Sequence, residues 1–428
     1  MNRFASRRAD QLPGSFYNIK ADLDVQPAPP LHPGTKEPLR PQDLEPFFPK
    51  EFVNQTATGQ KTVPIPDEVR EAYLVYRPTP LVYAAGLRKA LETPAHIFYK
   101  YEGAGPCGSH KSNTALMQAY LAAREGVQTL VTETGAGQWG SALAHAGSVF
   151  GVNVQVYMVR VSCRQKPGRR VIMEMFGAKV VESPSALTEA GRKFSQADPD
   201  HPGSLGIAIS EAVEAALSNP GAKYSLGSVL DAVLMHQTVI GQEATGQLQE
   251  SGADPEVIVG CVGGGSNFAG IAFPFIGEDL RRGTRRRYIA VEPEACPTLT
   301  RGELRYDHGD SVGLTPLLYM HTLGKDFIPP SIHAGGLRYH GMAPLVSHLV
   351  DRGIIEPRAY PQPAAFEAAR TFLKAEGVLP APESSHAIAA VIDVALEAKA
   401  AGRPTTILFN LSGHGLLDVS AFAGNGRQ

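Results

Sequence analysis

From residue 71 onward, short apolar runs alternate with longer stretches whose apolar residues recur at helical spacing. "IFYKYE" (97–102), "TLVTE" (129–133), "NVQVYMVR" (153–160) and "AKVVES" (178–183) have strand character, as do "EVIVGCV" (256–262), "RYIAVEP" (287–293) and "TTILFNLSGHG" (405–415). Between them, "SNTALMQAYLAARE" (112–125), "GQWGSALAHAGSVFG" (137–151), "KPGRRVIMEMFG" (166–177) and "FAGIAFPFIGE" (268–278) predict helices, the second and third stopped by Gly151 and Gly177. "YSLGSVLDAVLMHQTVIGQEATGQLQ" (224–249) predicts one long helix. Strand–helix alternation predicts an α/β fold with parallel strands. Two such blocks predict two open, three-layer αβα domains, 71–228 and 229–428, with ligand in the crevice between them, where strand ends meet.

Residues 1–70 break this pattern. They are proline-rich and without periodicity, which favours extended and turn conformations, and Leu44, Phe47, Phe48 and Phe52 give the segment apolar anchors. An extension wrapped around the body is expected. Composition narrows the partners: 40 Lys plus Arg against 42 Asp plus Glu, a formal charge of −2, makes no electrostatic case for nucleic acid or an anionic membrane. The basic cluster "RRGTRRR" (281–287) reads as a solvated loop or a subunit contact. Four cysteines without C-x-x-C spacing, no apolar leader and no run of membrane-spanning length lead to the expectation of a reduced, cytoplasmic chain. No His, Cys or acid spacing suggests a metal held by side chains.

Candidate chemistry starts at "VIVGCVGGGSNFAG", where an apolar strand ends at Gly263, Gly264 and Gly265 before Ser266, Asn267 and a helix. Converging backbone N–H groups and a helix N-terminus make a phosphate cradle. The spacing fits neither G-x-G-x-x-G nor the nucleotide P-loop; Glu292, at the end of the next strand, keeps a ribose-binding alternative open. A phosphorylated aldehyde cofactor, pyridoxal 5'-phosphate, needs such a cradle, an amine and a ring-nitrogen partner. Lys111 in "YEGAGPCGSHKSNTA" offers the amine. It opens a helix, where a cation opposes the dipole, so helix stability does not account for it.

Five motifs, "GSHKSNTAL" around Lys111, "TETGAGQWG" (132–140), "GGGSN" (263–267), "PESSHAI" (382–388) and "NLSGHG" (410–415), resemble the tryptophan synthase β-subunit family, fold-type II pyridoxal-phosphate enzymes. The long N-terminal extension and "IHAGGLRYHGMAP" (332–344) are similar to its divergent second branch. The resemblance implies that the aminoacrylate from L-serine, or O-phospho-L-serine, is joined to indole to give L-tryptophan. It implies Lys111 as the lysine that holds the cofactor and moves the α-proton, and Glu133 as the carboxylate serving leaving group and nucleophile. His110, Ser228 and the run Gly263, Gly264, Gly265, Ser266, Asn267 would lie at the cofactor phosphate, Glu383 near its ring, and Ser412 at the ring nitrogen. Thr134, Gly135, Ala136, Gly137 and Gln138 would present N–H groups to the substrate carboxylate. A monovalent cation on backbone carbonyls, a homodimer and an α-subunit partner are family features, the last left open here because the extension could cover its docking surface.

Two departures from the main branch stand out. Arg338 replaces an acid near the serine hydroxyl, which would favour departure of phosphate from O-phosphoserine. His414 replaces an arginine beside the ring-nitrogen serine. Cys163, Arg164 and Gly168 fall where a closing element is implied, whereas Cys107 has no role that sequence supplies. Two other readings stay open: a β-eliminase or deaminase, or a β-replacement enzyme with another nucleophile, and a non-catalytic scaffold.

Overall fold

The computed structural model describes residues 9–423. Two parallel sheets organise it. The smaller has four strands, in the order Lys179–Ser183, Asn153–Val159, Thr129–Thr134, Ala222–Tyr224, all parallel. The larger has six, in the order Ile355–Tyr360, Arg287–Pro293, Val257–Cys261, Thr406–Leu411, His96–Tyr101, Leu81–Tyr83, with only the last antiparallel. Helices cover both sheets, so the central strands are buried on both faces and read as near-continuous apolar runs.

Sheet membership differs from the sequence division at 228. Leu81–Tyr83 and His96–Tyr101 precede the smaller sheet in sequence yet pair within the larger one, through the register Thr406↔His96 to Leu411↔Tyr101. The consequence is functional, because Lys111, which follows a strand of the larger sheet, shares a cavity with Glu133 on a strand of the smaller one. The long helix expected over 224–249 is two helices, Asp231–Gln237 and Val239–Ser251. Thr238 separates them: its hydroxyl donates to the Met235 carbonyl (2.6 Å) and accepts from the Tyr17 N–H (2.9 Å) of the N-terminal extension.

The extension does wrap the body. Ser15–Tyr17 pairs antiparallel with Thr62–Pro64, and the helix Lys50–Ala57 lies between them in sequence. Phe16 and Phe52 are fully buried, with ring centroids 4.7 and 6.2 Å from His236. The basic cluster is paired: Arg281 with Asp22, Arg286 with Asp279 and Asp254, Arg287 with Glu356 and Glu397. No helix among the described residues is long and apolar enough to cross a membrane.

Candidate active site

Three strands of two sheets, Thr129–Thr134, Val257–Cys261 and Thr406–Leu411, end at one cavity. The cavity is lined by His110, Lys111, Glu133, Thr134, Gly135, Ala136, Gln138, Ser228, Gly263 to Asn267, Glu383 and Ser412. Two expected residues are not on its wall. Gly137 sits behind it as the left-handed N-cap of Gln138–Phe150, where a Cβ would press on Arg169. Arg338 faces a separate recess bounded by Gly135, Gly203, Ser204 and Leu205, and its guanidinium donates to Ser162 Oγ (2.5 Å).

The cradle has the form its glycines require. Gly265 is left-handed (φ 101°) and caps the seventeen-residue helix Ser266–Arg282, whose positive end therefore points at the cavity. A Cβ on Gly264 would lie 2.5 Å from Ser228 Oγ, and one on Gly263 would meet the Gly336 carbonyl. Ser266 N–H donates to Ser228 Oγ (3.3 Å), and His110 Nε2 lies 3.4 Å from Ser266 Oγ. Burial holds the His110 imidazole down to about 3, so it is neutral at physiological pH. Asn267 contributes backbone only, since its amide is committed to the Cys261 carbonyl (2.9 Å) and to Asn410 (2.6 Å).

Lys111 is the N-cap of Ser112–Arg124, and among the described residues its Nζ has no hydrogen-bond partner. Burial lowers its pKa, against the opposing pull of Glu383 and Glu133, which favours the neutral amine needed for attack on an aldehyde. Glu133 moves the other way. Burial pushes it up to about 7, with the Tyr224 phenol and Lys111 opposing. A carboxyl that titrates near neutrality can both give and take a proton.

Ser412 ends the strand Thr406–Leu411; its Oγ is 2.7 Å from Ser384 Oγ and 3.6 Å from Cys261 Sγ. Glu383 ties two loops together, accepting from Gly336 N–H (2.8 Å) and Gln138 Nε2 (3.0 Å). The positive end of Gln138–Phe150 faces the same space, suited to a carboxylate. Sequence reasoning missed Ser384, Cys261 and Tyr224. Ser384 lies inside a quoted motif, but Tyr224 carries no local signal. Glu292 is not a ribose ligand: it is buried and spent on Leu299 N–H, Thr300 N–H and Thr300 Oγ1 (2.6–2.8 Å).

An unpaired amine, a cradle with no room for a Cβ and a hydroxyl at a third point fit the aldehyde, phosphate and ring nitrogen of pyridoxal phosphate, which defines the class as a pyridoxal-phosphate enzyme. Residues 72–413 match the family described as "Pyridoxal-phosphate dependent enzyme". The chain belongs to that family and, within it, to the tryptophan synthase β chains. It is 57% identical over 416 residues to "Tryptophan synthase beta chain 2" of Aeropyrum pernix, covering 96% of this chain and 93% of that one. It is 55% identical over 415 residues to the protein of the same name from Thermotoga maritima, covering 97% and 98%. Among solved structures, a fungal L-serine ammonia-lyase from Rhizomucor miehei (TM-score 0.59, 18% identity, 80% of this chain and 96% of that) and a threonine deaminase from T.th. (0.56, 22%, 82% and 98%) share the fold.

Proposed function

We propose that this enzyme replaces the hydroxyl of L-serine with indole to give L-tryptophan and water. The observation that carries the reading is the pairing, in one cavity, of the free amine of Lys111 with a carboxyl, Glu133, that titrates near neutrality. Pyridoxal phosphate supplies an electron sink for the substrate α-carbon. Gly263 to Ser266, Ser228 and neutral His110 would hold its phosphate, and Ser412 its ring nitrogen. A serine hydroxyl there does not force the ring nitrogen to stay protonated, which favours β-chemistry over transamination. Thr134, Gly135, Ala136 and Gln138 orient the serine carboxylate. Lys111 Nζ, at the cavity wall, would take the α-proton and return it at the end. Glu133 gives its proton to the departing hydroxyl, then accepts one from indole as the new carbon–carbon bond forms. Apolar cavity residues, among them Phe48, Ile209 and Val213, suit an aromatic nucleophile and favour this reading over a deaminase.

The test is indole consumption dependent on L-serine. Glu133→Gln should lower tryptophan formation on the order of 10³-fold while cofactor binding persists; serine-independent or unchanged turnover would sink the reading. O-phospho-L-serine as a second donor rests on Arg338, whose buried guanidinium bonds Ser162 Oγ in a recess separate from the cavity; Gly135 lines both spaces, and Arg338 would reach a departing phosphate only if that recess opened onto the cavity. Arg338→Ala should lower kcat/KM for O-phosphoserine relative to serine about tenfold; an unmoved ratio would remove Arg338 from the reaction. We also assign a monovalent cation to backbone carbonyls near the site, testable by exchanging potassium for tetramethylammonium, and a homodimer of 45.7 kDa chains, testable by sedimentation. Docking of an α-subunit is the competing use of the surface near the extension, and a mixing experiment decides it.

A further inference from the structure

Tyr224 ends the strand Ala222–Tyr224 and pairs in register with Val131, two residues from Glu133 and on the same face of its strand. From there its phenol donates to Glu133 Oε2 (2.5 Å). The N-terminal extension grips Tyr224. Its N–H donates to the Phe47 carbonyl (2.7 Å), its ring centroid is 5.6 Å from that of Phe48, and neighbouring Lys223 Nζ donates to the Glu45 carbonyl (2.5 Å). Leu39, Leu44, Phe47 and Phe48 of the same extension line the cavity that contains Glu133.

We propose that the N-terminal extension is a working part of the active site: Phe47 and Phe48 fix Tyr224, and Tyr224 holds the Glu133 carboxyl in position for proton exchange with leaving group and nucleophile. Tyr224, Phe47 and Phe48 are thus positioning residues, and the proposal rests on the role given to Glu133 above. The groups that face the pair are Lys111 and Tyr339 toward Glu133, and Tyr339 and Asp310 toward Tyr224. Tyr224 itself, raised well above the usual phenol range by burial and by Glu133, stays protonated and is a permanent donor. Among the hydrogen bonds that oppose the burial of Glu133, the phenol's is the foremost. Without it the carboxyl is harder to ionise and its orientation is no longer fixed. It could still reach the hydroxyl of serine but, no longer held, would be slow to take the proton from indole, so the two halves of the reaction would come apart.

Two readouts test this on full-length protein. In cofactor-free enzyme, carbon-13 NMR titration of the Glu133 carboxyl, assigned by its loss in Glu133→Gln, should show the midpoint of Tyr224→Phe moved up by about one pH unit. In holoenzyme given L-serine and indole, the same variant should shift products from tryptophan toward pyruvate and ammonia about tenfold. Phe48→Leu, which keeps the core apolar, should move both in the same direction by less, and it decides the matter if Tyr224→Phe does not fold. An unmoved midpoint together with an unmoved product ratio overturns the proposal. If the wild type makes no tryptophan at all, the proposed reaction fails, and the titration alone still decides whether the extension and Tyr224 control Glu133.

Discussion

Lys111 and Glu133 show one physical cause with opposite results. Burial penalises the charged form of each, so the amine becomes easier to deprotonate and the carboxyl harder to ionise. The sign carries to stability. Glu133 has its folded pKa raised above its unfolded value, so no cost is felt below the unfolded carboxylate range, and the penalty grows as pH rises toward 7. Glu133→Gln should therefore stabilise the fold by up to about 3 kcal/mol near about pH 8, with the gain vanishing below about pH 4, as denaturant midpoints would show. Equal midpoints at both pH values would mean that Glu133 is not desolvated. On the role proposed for Glu133, the protonated carboxyl serves the departing hydroxyl, so kcat/KM for L-serine should fall as pH rises through about 7; a flat profile across that range would argue against Glu133 as the donor. Lys111 was legible in sequence because a cation at a helix start lacks a structural reason. Tyr224 was not, because its partner is ninety-one residues away and neither residue is unusual alone.

Strands and helices that carry the site were legible where burial is two-sided or the helical period is long. Val257–Cys261, Thr406–Leu411 and Ser266–Arg282 fall where apolar runs and the glycine cluster placed them. The antiparallel pair Glu303–His308 and Leu317–Thr322 was not legible, since its first strand reads Glu-Leu-Arg-Tyr-Asp-His with only Asp307 buried. Its polar–apolar alternation lasts only from Glu303 to Tyr306 and its one buried position is an aspartate, so the run is too short and too polar to mark a strand. The split of the 224–249 helix at Thr238 was also hidden, because the turn tightens there, Thr238 N–H reaching back only to the Met235 carbonyl (3.0 Å), with no glycine or proline to mark it. The cradle turn yields a direct expectation. Gly264→Ala places a Cβ 2.5 Å from Ser228 Oγ, so cofactor affinity should fall by at least about tenfold in an absorbance titration, with melting little changed; unchanged affinity would move the phosphate elsewhere.

Across the molecule, the two sheets and the extension are held by contacts between residues far apart in the chain. Arg77, fully buried, bonds Glu102 (2.9 Å) and Glu243 (2.8 Å), while Lys100 also reaches Glu243 (2.8 Å). Arg77 further donates to Asn113 Oδ1 (2.8 Å), two residues after Lys111. Arg77→Met would leave Glu102 and Glu243 with one buried cation between them, and should cost roughly 3–5 kcal/mol of stability by denaturant titration; a loss within about 1 kcal/mol would mean that water reaches the cluster. No sequence pattern announces this quartet, since Arg77 and Glu243 are 166 positions apart. The docking of the extension was foreseeable from its aromatic residues, but its reach into the catalytic cavity was not, because proline-rich backbone has no period to locate its side chains. The proposed reaction joins the β-carbon of serine to indole. Its most direct test is to supply the holoenzyme with indole and L-serine carrying carbon-13 at the β-carbon, and to follow the label. Label is expected at the β-carbon of L-tryptophan; label recovered only in pyruvate, with indole untouched, would contradict that reaction.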